Sequence, residues 1–470
     1  MKISVSESFG QSPSVYESDR VQKAIPRYVL LALFIMIYII GHLTVSVDGI
    51  SLVSATAPGS GIVPRFLNAI TDFGGLIVLL IFFRHPFLHS DWQHLPWRLI
   101  IVLWMGLLII SGSIGIVGGR IDLISLSVGV RAYSRLFVPF LIGMFLLGEK
   151  DIKWIFKAML VIGFIQTPLA LLQTFESPSP DMVCGLMGIA GSGRLGSFQI
   201  VCVGILLARF INYPKAQYAA RQIRTLMSLA GGSAILLFPL ILAESKAAFL
   251  GMGLVIIAIL RYRFFSYRGL ALFVGVFSIL SLFVVGYSQI YSALTKTYHN
   301  VNILESFYPS ALYVNLTSYD QSGINGRLQN FSEIDRLLTN SGDLLWGYGP
   351  GFLNDSIIAA SNESVFLASL KDQVIGSLSF GALIFLETGY LGVLLWCIFF
   401  LYLFKQMYRS QRRLATMADG GYIFDAFIGF FIAICFSLIY NGGLLTPPLY
   451  FPFMLFSGYI VRIASERNFN

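Results

Sequence analysis

Of 470 residues, 56% are hydrophobic and only 12% charged, and the mean hydropathy is +0.75. These proportions exclude a soluble enzyme and a disordered tail, and leave a polytopic membrane protein. The net charge of +8 would point to nucleic acid only if the basic residues formed one soluble patch; they are dispersed, so no nucleic-acid partner is expected.

Residues 1–27 are Ser-rich and mixed in charge, without the order of a signal peptide, and read as a cytoplasmic tail. Apolar windows long enough to cross a bilayer then fill 28–287, near 28–47, 66–83, 99–117, 131–148, 155–174, 197–212, 226–243, 246–260 and 269–287. A long connection covers 288–380. Three more spans, near 381–404, 423–440 and 445–464, lead to the short end 465–470. The expected architecture is an all-α polytopic membrane protein of about 12 transmembrane helices. Placing the N-terminus in the cytoplasm puts roughly two thirds of the Lys and Arg inside, while most carboxylates fall outside. Both termini are then cytoplasmic and the long loop is outer, that is, periplasmic.

That loop is too rich in aromatic and aliphatic residues for disorder, and long loops that persist are usually functional. After the turn signal Ser322-Gly323-Ile324-Asn325-Gly326, the spacing of Leu328, Phe331 and Leu338 predicts an amphipathic helix packed on the bundle. Trp346-Gly347-Tyr348-Gly349-Pro350-Gly351 reads as a tight turn, or as an anion-binding nest. Cys184, Cys202, Cys397 and Cys435 are far apart and offer neither a disulfide framework nor a CxxC site, so no metal or other cofactor is expected.

Ionisable groups at membrane depth are costly and therefore functional candidates. Arg131 and Arg135 stand one helical turn apart at the mouth of the fourth span, where simple snorkelling also accounts for them. Arg120 precedes them, Arg194 stands before the sixth span, Lys246 lies in the short turn Glu244-Ser245-Lys246, and Arg327 opens the loop helix. All lie on the outer side. Arg336, half a helical rotation from Arg327, is left to the surface. A pyrophosphate matches such a ring of cations, which would also stabilise the charge that grows on it as a sugar departs. Glu387, in Glu387-Thr388-Gly389, either caps the tenth span or touches substrate. Of five histidines, His299 alone lies in the long loop.

Several motifs in this order resemble those of the O-antigen ligase and Wzy-type polysaccharide polymerase superfamily. They are Ile162-Gly163-Phe164-Ile165-Gln166 with Leu172-Gln173, Gly193-Arg194-Leu195-Gly196-Ser197-Phe198, Ser245-Lys246-Ala247-Ala248, Gly326-Arg327 followed by Gly347-Tyr348-Gly349-Pro350-Gly351, and Glu387-Thr388-Gly389-Tyr390-Leu391-Gly392. The resemblance implies a GT-C-like membrane glycosyltransferase, independent of metal, that transfers a glycan from undecaprenyl diphosphate to an acceptor glycan. It assigns Lys246, Arg327 and Arg194 to the donor diphosphate. Arg131, Arg135, Arg120, Tyr348 and Glu387 complete the expected substrate-binding set. Two departures follow. Lys246 replaces the family's arginine, giving a point charge in place of a fork. The ligase histidine, about nine residues before the Glu, is missing from Gly376-Ser377-Leu378-Ser379-Phe380. A base must then come from Glu363, Asp372 or His299, or from the diphosphate itself, and the missing histidine favours polymerase over ligase. The expected partners are undecaprenyl-diphosphate-linked oligosaccharide, membrane lipids and a chain-length regulator protein, at the bacterial inner membrane. A lipid-linked oligosaccharide flippase or secondary transporter is the reading from a different class.

Overall fold

The computed structural model describes residues 44–46, 49–51, 96–176, 183–187, 192–212, 218–243, 245–261, 274–275, 278, 327–352, 378–417, 419–441 and 447–465. Of some helix-end residues, Lys246, Arg327 and Leu328 among them, only the backbone is described. The elements are β1 (Thr44–Ser46), β2 (Gly49–Ser51), α1 (Pro96–Val117), α2 (Leu123–Ser134), α3 (Phe137–Leu146), α4 (Glu149–Glu176), α5 (Ser192–Ile211), α6 (Tyr218–Leu242), α7 (Lys246–Leu260), α8 (Arg327–Ser341), α9 (Phe380–Leu414), α10 (Gly420–Tyr440) and α11 (Pro447–Ser465).

Among the described residues, six helical stretches are long and apolar enough to cross a membrane: Pro96–Val117, Leu123–Leu146, Glu149–Phe175, Gly193–Ile211, Phe380–Leu414 and Gly420–Tyr440. Ser228–Leu242 and Ala248–Leu260 are shorter apolar helices. This is a helical bundle of the multi-pass membrane class. The expected span at 66–83, most of that at 28–47 and most of that at 269–287 lie outside the described residues.

The helix of the fifth span starts at Glu149 rather than 155 and that of the seventh at Tyr218 rather than 226, and three further differences from the sequence reading have a local cause. Residues 44–46, at the end of the expected first span, form a strand paired antiparallel with 49–51 in the register Thr44↔Ser51, Val45↔Ile50, Ser46↔Gly49. The β-branched Thr44 and Val45 favour a strand there. The fourth apolar stretch starts at Leu123 rather than at Arg131. Gly119 (φ 67°) stops α1, and Asp122 caps α2 by accepting a hydrogen bond from Ser125 N at 2.6 Å. Ser125, Ser127 and Gly129 dilute the hydropathy there and hid this start. Finally, α9 runs to Leu414 rather than 404, and its backbone leaves the helical region at Gly389 (φ 63°, ψ −163°).

Without water to drive apolar association, packing depends on close backbone approach and shape. The tightest pair is α3 with α11, where a Cβ on Gly143 would strike the carbonyl of Leu455 and one on Gly458 that of Phe140. α5 is flanked by α6, α7 and α10. Trp104 of α1 meets Tyr133 of α2 and Trp396 of α9 edge-on, each at 5.5 Å between centroids, and joins those three helices. The helix expected in the long loop is α8; its Ile334 and Leu338 are fully buried with Leu386 of α9 in a second, smaller core, and Phe331 packs against it.

Candidate functional site

One end of the bundle gathers the first turns of α5, α7, α8 and α9. Asn441, at the end of α10, joins two of them, α5 and α9. Its side-chain amide donates to Gly193 O and to Ser197 Oγ, each at 2.9 Å, while its own carbonyl accepts from Phe380 N at 3.0 Å. Gly196 lies so close to the turn before α7 that a Cβ there would come 2.5 Å from Ser245 Oγ and 3.0 Å from the Ala248 side chain. The ring of Phe331, one turn into α8, would be 3.3 Å from a Cβ at Gly381. Arg194, the first helical charge of α5, and the backbone of Lys246 therefore stand at this end, with the α8 turn that begins at Arg327 nearby. Arg194 is half-buried, and among the described residues it has no carboxylate partner, whereas the ion pairs elsewhere occupy Arg120, Lys153, Arg261 and Arg336.

Three glutamines support the same end. Gln173 Oε1 accepts from the backbone N–H of Cys184 (3.0 Å) and Gly185 (2.7 Å), and its amide donates to Gly185 O. Gln166 Oε1 accepts from Leu186 N at 2.8 Å, and Gln199 donates to Gly163 O at 3.1 Å, binding α5 to α4. The paired glutamines of the sequence motif thus hold the backbone of 183–187, whose peptide groups would otherwise be costly to bury.

The second polar cluster surrounds the break in α9. A helix interrupted at Gly389 leaves backbone groups that must find partners, and the turn after α8 supplies them. Tyr348 N donates to Leu386 O (2.9 Å) and Gly349 N to Glu387 O (2.9 Å), while Tyr390 N donates to Leu344 O (3.1 Å) and Leu391 N to Leu345 O (3.3 Å). Ser111 Oγ of α1 lies 2.5 Å from Trp346 O and 2.9 Å from Glu387 O. The Glu387 side chain is buried; Tyr133 Oη donates to its Oε2 at 2.7 Å and Gly351 N to its Oε1 at 3.1 Å. The alternating glycines make a turn, and its last N–H does bind a carboxyl oxygen, but that oxygen belongs to the protein itself.

Several expected site residues are therefore placed differently. Glu387 does not cap the start of the span; Ser379 does, accepting from Ala382 N, because the helix begins seven residues earlier. Arg120 pairs with the Asp343 carboxylate, reaches Ser341 O at 3.3 Å and stacks over Tyr348 at 4.8 Å. Tyr348 is itself buried, with its hydroxyl on Leu337 O. These residues fasten the turn to the bundle. Arg131 and Arg135 lie within Leu123–Leu146, not at its mouth. Arg131 is exposed, and Arg135, at the α2–α3 junction, lies over the ring of Tyr450 at 5.4 Å. Arg336 is exposed and paired with Glu333, as expected for a surface residue. His299, Glu363 and Asp372 lie outside the described residues.

Sequence reasoning missed Asn441, Tyr133, Ser111 and Asp343, and met Ser197 only within the motif that carries Arg194. Asn441 carried the only visible signal, an amide ahead of Gly442-Gly443 at the end of an apolar run. No group of metal-ligating side chains occurs among the described residues. No protein-family model and no curated protein matches the chain.

Proposed function

We propose that the chain is a GT-C-like membrane glycosyltransferase of about 12 spans, a polysaccharide polymerase that joins lipid-linked repeat units at the outer face of the bacterial inner membrane. The observation that carries this reading is the close approach of α5, which carries Arg194, to the turn before α7 at Ser245, with Asn441 tying α5 to the start of α9, against which the first turn of α8 packs. A guanidinium with no carboxylate partner among the described residues, beside helix N-termini, suits a phosphate-bearing ligand. In the reaction, the acceptor hydroxyl oxygen attacks the anomeric carbon, the carbon–oxygen bond to undecaprenyl diphosphate breaks, and the diphosphate leaves with the electron pair. The hydroxyl proton passes to a base or to the departing diphosphate. Arg194, Lys246 and Arg327 neutralise the charge that develops there.

The test is elongation of purified undecaprenyl-diphosphate-linked repeats by the protein in proteoliposomes, with no ion gradient. Wild type yields a ladder of longer products, and Arg194→Ala loses about a hundredfold in rate. Failure of wild type to lengthen the substrate overturns the proposal. In cells, loss of a polymerase leaves one repeat on the lipid A core, whereas loss of a ligase leaves none.

The break in α9 beside an intramembrane carboxylate favours a second reading, a transporter. Against it stands the saturation of that break by backbone and side-chain groups of the same chain. Movement of the intact lipid-linked oligosaccharide across vesicles, without lengthening, would select the transporter.

A further inference from the structure

We infer that Glu387 is a positioning residue, whose carboxylate locks the arginine segment of α2 to the turn that carries α8. It thereby fixes where α8, whose first turn begins at Arg327, stands on the bundle. The inference rests on the reading of Arg327, with Arg194 and Lys246, as a diphosphate site.

The argument starts from the side chain's two oxygens. Each accepts a hydrogen bond from a different element, Oε2 from Tyr133 of α2 and Oε1 from Gly351 of the turn. Glu387 is only 3% exposed, so neither bond competes with bulk water, and both strengthen in that setting. Tyr133 sits between Arg131 and Arg135 on α2, so its position governs theirs. Backbone contact reinforces the link: a Cβ on Gly129 of α2 would strike Gly351 N, and one on Gly351 would strike Ser125 O. At the other end of the turn, Arg120 holds Ser341 O at the last residue of α8 and the Asp343 carboxylate just beyond it. The turn is thus clamped twice, and α8 is anchored at its C-terminal end. A carboxylate meant to touch substrate would keep an oxygen toward the site. This one spends both on α2 and the turn.

The experiment uses the full chain in detergent. Amide hydrogen exchange at Tyr348, Gly349 and Gly351 reads the latch directly, and the donor KM for elongation reads its consequence. Glu387→Ala speeds exchange at these amides at least about tenfold and raises the donor KM by a similar factor. Glu387→Gln restores both in large part, because its carbonyl still accepts from Gly351 N–H. Unchanged exchange in Glu387→Ala overturns the latch, and faster exchange with an unchanged donor KM overturns the positioning role. Should Glu387→Ala fail to fold, Tyr133→Phe removes one hydroxyl only; unchanged exchange and KM in that variant overturn the inference. A wild-type protein that elongates nothing refutes the proposed function instead, and the exchange measurement still decides the latch.

Discussion

The two polar regions of this bundle use similar groups in opposite ways. At the break in α9, the carbonyls of Leu386 and Glu387, the N–H groups of Tyr390 and Leu391 and both oxygens of the Glu387 carboxylate all have partners within the chain. At the end joined by Asn441, the scaffold is equally well tied, yet Arg194 faces no acid among the described residues. In a low-dielectric setting a satisfied network specifies structure, while an uncompensated charge is costly and persists where a ligand uses it. The first region is architecture, and the second is the one the proposed function draws on.

The sharpest way to break this comparison is at the turn. Gly351 has φ of 89° and no room for a side chain, so Gly351→Ala should cost at least about 3 kcal/mol, read as a large drop in thermal midpoint in detergent or as failure to accumulate. Arg194→Ala should do the reverse, removing most elongation activity while moving the thermal midpoint little, since among the described residues it takes part in no ion pair. An equally destabilised Arg194→Ala would erase the distinction between the two regions. Asn441→Ala should fall between them, losing about 1–3 kcal/mol from two buried acceptors and the α5–α9–α10 junction they serve, with activity falling in step.

The smallest effect is expected at the α2 cap. The backbone N–H of Ser125, then its hydroxyl, hold the Asp122 carboxyl below its ordinary value. A depressed folded value means that the cap contributes fully above the usual carboxylate range, near about 3.9, and fades as pH falls through the lower, folded value. Asp122→Ala should therefore cost about 1 kcal/mol at neutral pH, and the difference from wild type should shrink in acid. A pH-independent difference would show that the cap acts through something other than the charged carboxylate.

Much of this was legible in the chain because it depends on local pattern. The apolar runs announced the helices, and Leu328, Phe331 and Leu338 announced α8. Arg194 stood out as a cation before an apolar run. Glycines 347, 349 and 351 announced a turn. The start of α2 was not legible, because a serine- and glycine-diluted helix has a weak hydropathy signal although Asp122 caps it well. The break at Gly389 was equally hidden, since Glu387-Thr388-Gly389 sits inside one continuous apolar run and glycine in a helix is not diagnostic by itself.

The sequence alone determined that this is a membrane bundle with a helix in its long loop, because burial in lipid and helical periodicity leave their mark on neighbouring residues. Only the tertiary structure decided which charges are spent. Whether Glu387, Arg120 or Arg194 has a partner depends on groups up to 276 positions away in the chain, the separation of Ser111 from Glu387. Composition and spacing carry no trace of that pairing, because it is made by helices meeting in space.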